Sequence, residues 1–417
     1  MKLRLGLCVL ILWAAWTVQA DEPKPQVVRL EPGPNAQKEV QRALIRAKPG
    51  MVIELGAGTF EFHASLSLTV PRVTLRGQGM GKTVLCFAKQ DQGKEGMLVT
   101  ADGFTAEDFT LADAKGDGLK INGVKGVTLR RVEATWRDGP KETNGAYGLY
   151  PVQCERVLIE DCQASHASDA GIYVGQSKQI VIRRCKATRN VAGIEVENSF
   201  DADVYENQAT DNTGGILVFD LPDLPLKNGG RVRVFNNVVS ANNHVNFAPK
   251  GNIVATVPPG TGIMVLATDQ VEIFGNKISD NKTCNLAIVS YLITQRPIQD
   301  RKYDPFPEGI YVHDNEFKNG GFEPSGEMGM LLGTILGKPI PDILYDGCVD
   351  KRKMVNGKLP EKFGLKLANN GSATFANLGY DGSPILQFVL RRPQVDRAVD
   401  NYEGSLPPLK PVMLGSN

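Results

Sequence analysis

At 417 residues the chain is long for one compact core but ordinary for an elongated repeat array. Its 47 Lys and Arg against 46 Asp and Glu leave a net charge of +1, with neither a basic block nor an acidic tail, which speaks against a nucleic-acid partner. Beyond the N-terminus no apolar run approaches the roughly 18 residues of a membrane span.

In chain order, MKLRLGLCVLILWAAWTVQA places Lys2 and Arg4 before an apolar run, with Val18 and Ala20 where a signal peptidase reads. Residues 1–20 are expected to be a signal peptide cleaved near Ala20, giving a periplasmic or secreted protein. Cys8 lies inside the apolar run, so no lipid anchor is expected. NAQKEVQRALIRAKPG then shows helical periodicity closed by Pro49 and Gly50, followed by strand-like MVIELGAGTFEF and VTLRGQG. Residues 21–95 therefore predict a cap and first coils, the amphipathic helix covering a sheet edge that would otherwise be bare.

From 96 to 320 the chain repeats. Gly118, Gly148, Gly171, Gly193, Gly215 and Gly262 open the phrases GLKI, GLYPV, GIYV, GIEV, GILV and GIMV at intervals of 30, 23, 22, 22 and 47 residues. A second alternating phrase follows in each unit, as in VLIEDC, IVIRRC, VRVFNN and VEIFGN. Period two over so few residues means short strands, and no helical crossover fits between them. Each unit is then one coil stacked in parallel on the next, an all-β parallel helix. Stacking aligns equivalent positions, so Val132, Cys162, Cys185, Asn207, Asn237, Asn276 and Asn315 fall in one inward column. Successive asparagines there can bond along the stack. Cys162 and Cys185 share the column and are expected as buried thiols, because straight stacking does not give disulfide geometry. Six cysteines follow the leader, none in a CxxC pair, and the array holds only three histidines, so no zinc or copper site is expected.

These phrases resemble the right-handed parallel β-helix proteins of pectin-lyase-like architecture, over roughly residues 36–320. The resemblance is nearest to exported bacterial β-helix repeat proteins, with kinship to periplasmic copper-enzyme accessory proteins, uronan epimerases and polysaccharide lyases. It implies a polysaccharide bound in a groove, with lyase or epimerase chemistry. YGLYPV at 147–152 resembles the Tyr-Gly-apolar-Asp-Pro-His frame of uronan epimerases, but Tyr150 stands for the aspartate and Val152 for the histidine. That departure favours the alternative, a non-catalytic periplasmic accessory protein or interaction scaffold.

Four insertions, 137–147, 221–230, 244–261 and 294–309, flank the Gly-apolar strand column from both sides and predict a groove. By alternation its floor is Lys120 and Asn122, Tyr150, Tyr173, Glu195 and Glu197, then Leu217, Phe219, Met264 and Leu266. The apolar end is expected to pack under the insertions and the polar end to carry any chemistry. SHASDAG sets His166 and Asp169 beside Tyr173. The catalytic candidates are His166, Tyr173 and Glu195, a set able to abstract a proton, with Lys120, Tyr150, Asp169, Arg189 and Glu197 as substrate-binding residues. Glu195 and Glu197, two apart on one face, have the spacing of a glycosidase pair, or could share a Ca²⁺ with Asp169; no other metal site is expected. The alternative for Asp169 is a turn cap. The partner is a polysaccharide or another exported protein, bound by a monomer. Residues 321–417 lose the register and read as C-terminal coils and cap with a proline-containing tail.

Overall fold

The computed structural model describes residues 25–415. The expected signal peptide lies outside the described residues. The parallel coils expected from the repeat are present, each with three faces. In one coil these are Ala170–Gly175, Lys178–Arg183 and Lys186–Thr188; in the next, Ala192–Glu197, Phe200–Tyr205 and Gln208–Thr210. Every face pairs in parallel with its equivalent, for example Ile172 with Ile194 and Ile180 with Ala202. The first faces form an eleven-stranded sheet, and the other two are joined into a second one.

Alternation explains the core. Ile172, Val174, Ile180 and Ile182 point inward and lie directly on Ile194, Val196, Ala202 and Val204, all essentially without solvent contact. The repeated glycine has a steric reason: a Cβ at Gly118 or Gly148 would come 2.5 Å from the next coil's glycine carbonyl oxygen.

The corners are held by side-chain ladders. Asn207, Asn237, Asn276 and Asn315 each pass an Nδ2–H to the next Oδ1 at 2.9–3.1 Å, ending on Asn370. A second ladder runs through Asn190, Asn212, Asn242, Asn281 and Asn285. At the third corner Ser199 Oγ accepts the Ser177 N–H, and Ser177 Oγ accepts that of Cys154. Cys162 and Cys185 occupy the first ladder's column, and the six cysteines of the described residues are buried and unbridged.

The helix Ala36–Arg46 buries Ala36, Val40 and Leu44 against the first coils. The array continues past 320, because Ile343–Tyr345, Leu365–Ala368 and Phe375–Asn377 pair in register with earlier strands. The tail then returns over the second face, where the N–H of Leu409 donates to Glu272 and that of Val412 to Asp203. Among the described residues no helix is long and apolar enough to cross a membrane.

Candidate functional site

The register places the floor column as read: Lys120 beside Tyr150, then Tyr173, Glu195, Leu217 and Met264. The open groove is not there. The insertions read as 244–261 and 294–309, which the flanking strands bound at 244–260 and 290–309, fold inward over the floor and meet, with Arg296 Nη2 donating to the Asn252 carbonyl at 3.0 Å. Tyr303 of the second insertion donates to the Asp220 carbonyl at 2.6 Å, pinning that roof to the end of the floor strand. The cause is the apolar half of the column, since Leu217, Phe219 and Leu266 would otherwise face water and are instead buried under Val254, Val257 and Tyr291. A cavity of about 700 Å³ remains at this end, lined by Phe219, Met264, Leu266, Ile293 and Leu332.

At the polar end three tyrosines cluster. Tyr147 lies 4.4 Å from both Tyr150 and Tyr173, centroid to centroid. The Lys120 ammonium sits 5.0 Å over the Tyr150 ring and pairs with Glu95 at 3.6 Å and Asp117 at 3.8 Å. Alternation missed Tyr147, which stands at the corner before Gly148, where the pleat does not govern direction. Glu95, Asp117 and Asn252 were missed too, each coming from another coil or from the roof.

Beside the tyrosines lie Asp169, Glu195 and Glu197, all buried. Tyr173 Oη donates to Glu197 Oε1 at 2.7 Å, and its ring covers Gly175, where any Cβ would collide with it. Asn252 Nδ2 reaches Asp169 Oδ2 at 3.5 Å. Asp169 Oδ1 and Glu195 Oε2 are buried without hydrogen-bond partners. Burial first, then mutual repulsion, raises the pKa of Asp169 and Glu195; burial raises that of Glu197, partly opposed by the Tyr173 bond. Asp169 is therefore no turn cap. The turn position belongs to Ala167, whose N–H donates to Asn190 Oδ1, and Asp169 is set outward, in line with Val191, by the extra residue in its turn.

His166 and Arg189 do not join the carboxylates. Both hold the left-handed corner position before the second ladder, at φ +70° and +56° on successive coils, so they stand side by side at the edge of the array. The His166 Nδ1–H donates to the Trp136 carbonyl at 2.8 Å, burial lowers the ring's pKa, and Arg189 pairs with Asp211. The geometry removes the expectation that His166 acts beside Tyr173. Among the described residues, the carboxylate oxygens that converge within 4.8 Å belong to Asp304, Glu308 and Asp350, not to Asp169, Glu195 and Glu197.

The family described as right-handed β-helix region matches residues 95–254, the coils that carry this cluster. The fold is a right-handed parallel β-helix. Among solved structures, this β-helix protein is similar to the A-module of the mannuronan C-5 epimerase AlgE4 of Azotobacter vinelandii, at 16% identity and a TM-score of 0.49 over 83% of this chain and 91% of that one. It is also similar to pectate lyase Pel9A, at 14% and 0.42 over 90% and 83%. The N-terminal fragment of bacteriophage Phi29 gene product 12 gives 14% and 0.43 over 82% and 68%. No curated protein sequence matches the chain.

Proposed function

We propose that this exported β-helix protein binds a neutral carbohydrate at the tyrosine end of the roofed sheet, and that Glu195 and Glu197 act on a glycosidic bond there. The observation that carries this reading is the difference between the two glutamates: Tyr173 donates to Glu197, whereas Glu195 Oε2 is buried without a partner. Two neighbouring carboxyls in unlike environments divide into a proton donor and a base. Glu195, protonated, gives its proton to the leaving oxygen as the C–O bond breaks. Glu197, ionised, takes the proton of the water or hydroxyl that adds to the anomeric carbon.

Tyr147 and Tyr150, half-buried, supply apolar ring faces for sugar C–H groups and hydroxyls for sugar oxygens, while Tyr173 holds Glu197. Charge favours a neutral ligand. The site carries Asp169, Glu195 and Glu197, the Lys120 ammonium is already paired with Glu95 and Asp117, and Arg189 is engaged with Asp211 at the corner. The lyase or epimerase chemistry implied by the resemblance would need a free cation for the uronate carboxylate, and hydrolysis or transfer does not. Entry requires the roof to lift at Asn252, which touches the carboxylates only through its 3.5 Å contact with Asp169.

The test is product analysis by mass spectrometry after incubation with neutral oligosaccharides. Cleavage or transfer is expected, falling about 100-fold or more in Glu195→Gln with the fold unchanged. No product from any neutral glycan, or equal rates in the variant, would remove the reading.

A further inference from the structure

Away from the roofed sheet, Asp304, Glu308 and Asp350 bring one carboxylate oxygen each to within 4.8 Å of one another. Asp304 and Glu308 end the 290–309 insertion, whereas Asp350 follows the strand Ile343–Tyr345, so the cluster joins two segments distant in sequence. Asp269 lies against it and accepts the Glu308 N–H at 3.1 Å. Four carboxylates thus face two cations. Lys353 Nζ donates to Asp304 Oδ2 at 2.8 Å and Glu308 Oε2 at 2.6 Å. Arg352, from an exposed position, holds both Asp350 oxygens at 2.9 Å.

A second observation is independent of the count of charges. Glu308 is 5% exposed, and its Oε1 is buried with no hydrogen-bond partner. The Lys353 ammonium satisfies only the other oxygen. A buried carboxylate oxygen left without a donor is costly, and a cation in the cluster would remove that cost.

We infer that Asp304, Glu308 and Asp350 form a Ca²⁺ site, which the Lys353 ammonium fills when the ion is absent. The ligands are hard oxygens from segments outside the strands, with no cysteine or histidine among them. Ca²⁺ accepts about 6–8 such ligands in irregular geometry, with carboxylates binding through one or both oxygens, so Glu308 Oε1 and Asp269 are available to it. Mg²⁺ demands a stricter octahedron and keeps its waters. Lys353, with a flexible stem and a partly exposed side chain, can swing to solvent. Ion binding would then fasten the 290–309 insertion to the C-terminal coil.

The experiment titrates the chelator-treated full chain with CaCl2 and separately with MgCl2 by calorimetry, and records the Tm with and without Ca²⁺. One Ca²⁺ per chain is expected, with weaker Mg²⁺ binding and a Tm raised by Ca²⁺. Glu308→Gln should weaken Ca²⁺ binding about 10-fold or more. Lys353→Met should tighten it by removing the competitor. If Glu308→Gln does not fold in chelator, Lys353→Met decides alone. Absence of Ca²⁺ binding to the wild-type chain, affinity unchanged by Lys353→Met or by a folded Glu308→Gln, or Mg²⁺ bound as tightly as Ca²⁺ would overturn the assignment.

Discussion

The Tyr173 hydroxyl donates a 2.7 Å hydrogen bond to Glu197 Oε1 on the adjacent coil, and both side chains are buried beneath the roof. Tyr173 therefore acts by holding Glu197, not by meeting solvent. Removing the hydroxyl leaves a buried carboxylate oxygen without its donor. Tyr173→Phe is predicted to lower stability by about 1–3 kcal/mol. Urea denaturation checks this, and an unchanged midpoint would contradict it.

Buried acids set the pH dependence. Burial first raises Asp220 to about 7 and Asp346 to about 6, despite backbone N–H donors to each. Glu197 is raised as well. For a carboxyl whose folded pKa lies above its unfolded value, the stabilising contribution is complete below the unfolded value and is lost as pH climbs through the folded one. Glu160 runs the other way: its burial is outweighed by Arg130 and Arg183, which bring it to about 2, so its contribution is constant above the ordinary carboxylate range. The Tm measured in chelator should fall between pH 5 and pH 8. A rise over that interval would contradict these assignments.

The first ladder should be cooperative. Asn237 Nδ2 donates to the Val204 carbonyl and Asn276 Oδ1, while its Oδ1 accepts from Asn207 N and Nδ2, all at 2.9–3.0 Å. Asn237→Leu is predicted to cost about 2–4 kcal/mol, because turn amides lose partners on both sides. Thermal and urea unfolding of the pure variant measure it, and wild-type stability would remove the ladder's energetic role.

Cys162 and Cys185 should stay reduced in oxidising buffer. Burial raises the Cys185 pKa strongly, with Cys162 adding to it, so little thiolate forms. Unfolding without reductant, followed by alkylation and intact mass, should label both. If neither labels, the two are bridged.

The coil and the Asn207 to Asn315 column were legible because one residue type returns at one place in every phrase. The second ladder was less so, since Ala167 stands where Asn190 and Asn212 stand in later coils. The corners gave no glycine signal: Arg131, Asp161, Arg184 and Glu206 all adopt left-handed backbone before the first column, with φ of +52° to +56°. His166 is one more such corner residue, which its scarcity in the chain disguised. Cover over the apolar end was legible from Leu217, Phe219, Met264 and Leu266, but the reach of the roof to Asp169 at the polar end was not. Arg296 and Asn252 meet over the floor through irregular insertions whose spacing carries no period. After residue 320 the helix Gly326–Leu336 stretches the spacing, although the strands beyond it return to register.

The central claim is a neutral carbohydrate held by the tyrosine cluster, and calorimetric titration tests it most directly. Wild-type chain, Tyr150→Ala, and the control Arg183→Ala with Tyr205→Ala on the second face would each be titrated with neutral and uronic oligosaccharides. The account predicts that a neutral oligosaccharide binds wild type more tightly than any uronic one. Tyr150→Ala should lose about 1–2 kcal/mol of binding with the Tm unchanged, and the control pair should bind as wild type does. No binding by any glycan, tighter binding of the uronic series, or equal losses in Tyr150→Ala and the control would contradict it.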